Sequence, residues 1–147
     1  MKTLLTIILL TLTGIAAADP ALVKKASPYS AKETMDRFEN IVKKKGLTIF
    51  ARIDHKANAK KAELNMNPAE VLIFGNPKIG TRIMNRDPAA ALDLPLRVLA
   101  YTDDDGKTWL MYHDPETMKN LYQLEECVAV DKVRGALDKL TSAAVVK

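Results

Sequence analysis

The chain has 147 residues, 27% charged and 48% hydrophobic, with a formal net charge of +4 and one cysteine. That length fits one domain able to bury roughly two thirds of its unfolded surface. A single cysteine excludes an internal disulfide, and basic residues scattered outside Lys43-Lys44-Lys45 and Lys60-Lys61 argue against a nucleic-acid partner.

Residues 1–18 have the anatomy of an export signal: Lys2 gives a basic start, residues 4–15 an apolar run, and Ala16-Ala17-Ala18 the small residues of a cleavage site. The run is about a dozen residues long, short for crossing ~30 Å of hydrocarbon as a helix. The expectation is a signal peptide cleaved near Ala18 and a single periplasmic or secreted domain over residues 19–147, with no stable membrane insertion afterwards. No second apolar span follows.

A first strand is signalled weakly over residues 22–26, because Lys24-Lys25 blunts the alternation, and Ser27-Pro28 ends it. Ser30 and Glu33 form a capping box. Behind it Met35, Phe38, Ile41 and Val42 share a helical stripe, with Lys43-Lys44-Lys45 as the solvated last turn and Gly46 placed for a left-handed cap. Residues 47–54 alternate as a strand, with Ile49, Ala51 and Ile53 on one face. After an Ala-Lys-rich tract that fits a short helix or turn, residues 71–74 form a continuous apolar run ended by Gly75-Asn76-Pro77, the pattern of a strand covered on both faces. Ile79, Ile83 and Met84 suggest a helical turn or two, and Asp87-Pro88 a further helix start. Residues 96–101 and 107–113 read as a hairpin around Asp103-Asp104-Asp105-Gly106, with Gly106 at the positive-φ position. Asp114-Pro115 starts a helix with Met118, Leu121 and Tyr122 inward, and Asp131 caps a last one with Val133, Leu137, Leu140 and Ala144 in a stripe. Helices and strands mixed without strict βαβ alternation give an α+β class, a largely antiparallel sheet with helices packed on one side.

Cys127 lies near Leu124, Val128 and Val130, which favours burial as a small hydrophobe over pairing with another chain. The two histidines fall in doublets, Asp54-His55 and His113-Asp114, each at a strand end. They can share a ligand only if their strands run parallel. Asp93 sits in the apolar stretch Ala89-Ala90-Ala91-Leu92-Asp93-Leu94-Pro95-Leu96. Burying an unpaired carboxylate is costly, so Asp93 should be buried or line a pocket and find donors among backbone amides or Asn76, either tying its loop to the adjoining turn or serving a ligand. Glu70 is either a strand-edge acid or one wall of that pocket. No zinc-ligand spacing, P-loop, dinucleotide fingerprint or nucleophile elbow occurs, so no metal, cofactor or catalytic residue is assigned.

Ser27-Pro28-Tyr29-Ser30 with Glu33-Thr34, the run Gly46-Leu47-Thr48-Ile49-Phe50-Ala51-Arg52-Ile53-Asp54-His55, Leu72-Ile73-Phe74-Gly75-Asn76-Pro77, Ala91-Leu92-Asp93-Leu94-Pro95-Leu96 and Tyr112 with Asp114-Pro115 occur in order. Together they resemble the domain of unknown function 302 family over nearly all of residues 19–147. The resemblance implies a compact bacterial α+β domain, commonly a dimer, with no assigned activity. His113 stands where the family pattern more often has Asn, which limits it to hydrogen bonding. The functional expectation is a binding module in the bacterial envelope, taking a small polar or cationic molecule at the end of the 71–74 strand, in a pocket bordered by His55, Glu70, Asn76 and Asp93. Two alternatives stand beside it: a protein-interaction homodimer with no small-molecule site, and a metal-binding or enzymatic role using His55, His113 and nearby carboxylates.

Overall fold

A computed structural model of the protein describes residues 21–147, so the export signal expected over residues 1–18 lies outside the described residues. The elements run β1 (Leu22–Ser27), α1 (Ala31–Lys44), β2 (Thr48–Asp54), α2 (His55–Lys61), β3 (Ala69–Gly75), α3 (Pro77–Met84), a 3-10 turn (Pro88–Leu92), β4 (Leu96–Thr102), β5 (Thr108–His113), α4 (Thr117–Leu121) and α5 (Val128–Val145). The strands form one sheet in the order β1-β5-β4-β3-β2, every neighbouring pair antiparallel. This is the α+β class that the mixed pattern predicts.

Local chemistry accounts for most boundaries. Ser30 Oγ accepts from the Glu33 amide and starts α1, whose Met35, Phe38 and Val42 are fully buried. Gly46 takes φ +67° after α1, and Gly106 takes φ +77° in the β4–β5 hairpin. Asp54 Oδ1 accepts from the Ala57 amide to start α2, and Asp87 Oδ1 from the Ala89 amide to start the 3-10 turn. Asn76 also proves to be a cap: its Oδ1 accepts from the Lys78 amide and Pro77 fills the first turn of α3.

The core lies between one sheet face and the helices α1 and α5. Leu72, Phe74, Val98, Ala100, Leu110 and Tyr112 point into it, and the Phe38 ring meets Phe74 edge-on with centroids 5.2 Å apart. A second cluster, Ile83, Ala90, Met118, Leu124, Cys127 and Val130, sits under α3 and the chain after β5. The lone thiol is therefore buried, as its neighbours suggest.

Lys24 and Lys25, which obscure the first strand in sequence, are each used on one face of β1. Lys24 Nζ lies 4.0 Å from the Trp109 ring centroid on the open face. Lys25 Nζ reaches α5, donating to Asp138 Oδ1 at 2.7 Å, the Asp138 carbonyl at 2.8 Å, Thr141 at 2.9 Å and Ser142 at 2.7 Å.

Four sequence expectations are corrected here. In β2, pairing with β3 shifts between Ile49 and Ala51, so Phe50 is an extra, bulged residue. The bulge divides the expected face: Ile49 pairs with Phe74 on the helix side, whereas Ala51 and Ile53 pair with Ile73 and Val71 on the open side. Secondly, β3 is covered on one face only, with Leu72 and Phe74 buried and Val71 and Ile73 half-buried. Thirdly, Leu121 points outward, 67% exposed, because α4 is a five-residue turn whose inward position is taken by Met118. Finally, α5 starts at Val128, one turn before Asp131, whose carboxylate instead accepts from Lys119 Nζ at 2.6 Å.

Candidate functional site

The strand registers place the expected site residues at two ends of the sheet. Asp54 pairs with Glu70 at the end where β2 finishes, and the exposed His55 follows there. Gly75 pairs with Thr48, and Phe74 with Leu96, at the opposite end, which holds Asn76, Asp93 and His113. His55 and His113 thus stand at opposite ends of the sheet, and the four residues His55, Glu70, Asn76 and Asp93 do not converge on one pocket.

Glu70 belongs to an ion-pair cluster. Its Oε2 accepts from Arg52 Nε at 2.7 Å and from Nη2, while Arg52 Nη1 donates to Asp36 Oδ1 and Glu39 Oε2, each at 2.7 Å. One guanidinium therefore ties β2 and β3 to α1, using the planar fork that suits carboxylates. Lys32, with Arg52, holds the Asp36 carboxyl below the ordinary carboxylate range, and Lys43, with Arg52, does the same for Glu39. Arg52 itself is kept firmly protonated by the three acids, despite an opposing cost of burial. Glu70 is consequently a structural acid.

A cavity forms at the other end, where two central strands separate. Pairing of β4 with β5 stops at Leu99 opposite Met111. Beyond that point residues 96–98 pair only with β3, while Tyr112 and His113 pair only with β1. The gap is a cavity of about 410 Å³, with Val71, Leu99 and Met111 in its apolar wall, Asp93, Arg97, His113 and Asp114 as its charged and imidazole groups, and Tyr112 and Thr117 also lining it. Such a size and such a mixture of apolar wall with few polar groups are usual for small-molecule sites.

The polar groups are not equivalent. Asp114 is occupied by structure: Oδ2 accepts from Arg134 Nε at 3.1 Å and Nη2 at 2.8 Å, and Oδ1 from the Glu116 amide. Asp93 is half-buried, and its Oδ2 accepts from the Tyr122 hydroxyl at 2.8 Å. That hydrogen bond raises the Tyr122 phenol above its ordinary value. Among the described residues Asp93 Oδ1 has Arg97 Nη2 as its ion-pair partner, at 3.7 Å, too far for a hydrogen bond. In place of the donors proposed for Asp93 from sequence, backbone amides and Asn76, the Tyr122 hydroxyl donates to it, with Arg97 as a longer ion-pair partner. His113 is exposed at the rim. Asn76 instead lines a second, separate cavity.

Sequence reasoning missed Arg52, Arg97 and Tyr122. Arg97 carries no helical i to i+4 signal to Asp93, because a turn through Pro95 separates them and Arg97 lies in β4. Tyr122 lies 29 residues from Asp93, and no local signal joins them.

An open-faced antiparallel α+β domain, with one helical layer and a cavity where its central strands part, is the class the geometry defines. The model of the family described as "Domain of unknown function DUF302" matches residues 23–144, and the chain belongs to that family. The crystal structure of an uncharacterized conserved DUF302 protein from Bacillus stearothermophilus superimposes with a TM-score of 0.68, covering 86% of this chain and 97% of that one at 17% identity. That likeness concerns the fold alone. Among curated proteins, "Fluoride-specific ion channel FluC 1" of Brucella suis biovar 1 is 42% identical over 106 residues, 72% of this chain and 42% of the channel protein. The protein of the same name from Brucella abortus biovar 1 matches at 42% identity over 39% of its length. The chain spans about two fifths of these curated relatives.

Proposed function

We propose that this domain binds a small polar molecule in the cavity between the separated ends of β4 and β5, with Asp93 receiving a cationic or hydrogen-bond-donating group. One observation carries the reading: Asp93 lines the cavity, its Oδ2 held by Tyr122, while its Oδ1 accepts no hydrogen bond among the described residues and has Arg97 Nη2 3.7 Å away as an ion-pair partner. An oriented carboxylate with one oxygen open to a further donor, beside an apolar wall, suits an amine, guanidine or similar head carried on a small organic body. His113 and Arg97 at the rim set which substituents fit. Catalysis is not part of the proposal.

The place of action is the bacterial envelope, supported by the export pattern of residues 1–18, and N-terminal sequencing of envelope-fraction protein should find a start near Asp19. Fluoride conduction, which the Brucella names state for longer proteins, is not proposed for this domain. Among the described residues no helix is long and apolar enough to cross a membrane.

A thermal-shift screen of small amines, guanidines and quaternary ammonium compounds tests the site. Wild-type protein should give hits that Asp93→Asn loses, while the melting temperature without ligand falls only slightly. A large loss of stability in Asp93→Asn, with no hit on wild type, would make Asp93 structural.

A further inference from the structure

The second cavity, about 370 Å³, lies at the same end of the sheet but on the helix side, between α3, α5, the Phe74 end of β3 and the Leu94-Pro95 turn. Charged residues make up 27% of the chain, yet none lines it. Its polar side chains are Asn76 and Thr81 alone. Asn76 is half-buried and spends Oδ1 on capping α3, whereas its Nδ2 has no partner among the described residues. The β2 bulge leaves Phe50 at this cavity, 53% exposed, against the backbone of Gly75, where an added Cβ would stand 3.8 Å from the ring. An exposed aromatic beside an uncharged apolar recess marks surface that gains from being covered.

We infer that this cavity is a second binding site, for a neutral, mainly apolar small molecule with one hydrogen-bond-accepting head, of the class of a medium-chain alcohol. Asn76 Nδ2 supplies the donor to the head, Ile79, Ile83 and Leu140 enclose the chain, and Phe50 covers it. A charged head is disfavoured because no counter-charge lines the recess. The recess, about 370 Å³, has the size usual for a small organic molecule. At roughly 30 Å³ for each water-sized group, the recess holds about a dozen heavy atoms. The site is distinct in chemistry from the Asp93 cavity, although Leu96 and Leu137 line both.

The test is displacement of a neutral naphthylamine dye from the full chain by straight-chain alcohols from hexanol to tetradecanol. Affinity should rise about fourfold for each added methylene and level off near ten to twelve carbons, where the recess is full. Gly80→Leu adds a side chain toward the recess at a helical position where a Cβ would meet only Met84 Cε, at 3.9 Å. It should keep the wild-type melting temperature and weaken the alcohols at least tenfold, and Phe50→Ala should weaken them severalfold. Asp93→Asn should leave the alcohol series unchanged, and Gly80→Leu should leave the amine hits unchanged, so either site can fail without the other. Absence of displacement by any alcohol, displacement with no dependence on chain length, or unchanged affinity in a folded Gly80→Leu variant would overturn the inference.

Discussion

Arg52 shows how a single side chain sets the stability of this domain: it is the common partner of Asp36, Glu39 and Glu70, and its removal leaves Glu70, 8% exposed, without a counter-charge. Arg52→Ala should lower the unfolding free energy by about 2–4 kcal/mol, measured by urea denaturation. A loss under about 0.5 kcal/mol would mean that the cluster is no more than a surface network. The same residues set the acid limb. Asp36 and Glu39 have depressed folded-state values, so their contribution is present above the ordinary carboxylate range near pH 4 and is lost as pH falls through the folded values. Melting temperature should therefore drop below about pH 4, and less steeply in Arg52→Ala. Sequence could mark Glu70 and Asp93 as acids needing partners, because both lie in apolar surroundings. It could not tell which was structural, since the deciding groups, Arg52 on the adjacent strand and Tyr122 near α4, reach them only through the fold.

Most elements were legible from caps and periodicity, because those signals are local: Ser30, Asp87, Gly46 and Gly106 each act within a few residues of where they stand. Gly46 offers a clean check, since a Cβ there would touch nothing within 4 Å. Gly46→Ala should cost about 1 kcal/mol from the left-handed backbone alone, read as a shift of urea midpoint at constant slope, and a neutral result would show that the turn relaxes. The features that make the cavities were not legible. The Phe50 bulge is set by pairing with β3, and the parting of β4 from β5 by β5 keeping its register with β1 through His113 while β4 over residues 96–98 keeps only β3, pairings that no local pattern announces. Lys25 misled for a related reason: a lysine on the core side of a strand reads as a break in alternation until α5 supplies Asp138, Thr141 and Ser142. Lys25→Met should loosen α5 from β1, seen as faster amide exchange in the last turns of α5. Unchanged exchange there would show that the contact holds nothing.

In the whole molecule, α1 and α5 cover one sheet face; the other carries half-buried Ile53 and Ile73, and Val71, Leu99 and Met111 toward the cavity that α4 borders. We propose that this face pairs two copies of the chain in a homodimer without a disulfide, the thiol of Cys127 being buried. Sedimentation at micromolar concentration should give a dimer that Cys127→Ser retains. A persistent monomer, or a dimer lost in Cys127→Ser, would contradict it. Binding in the opening between β4 and β5 can be read residue by residue from amide nuclear magnetic resonance spectra of the domain titrated with the panel of amines and guanidines. Shifts should concentrate at Asp93, Arg97, Val98, Tyr112 and His113, and be lost in Asp93→Asn. Spectra unchanged by every compound, or shifts centred on His55 and Glu70 at the other end of the sheet, would contradict binding in that opening.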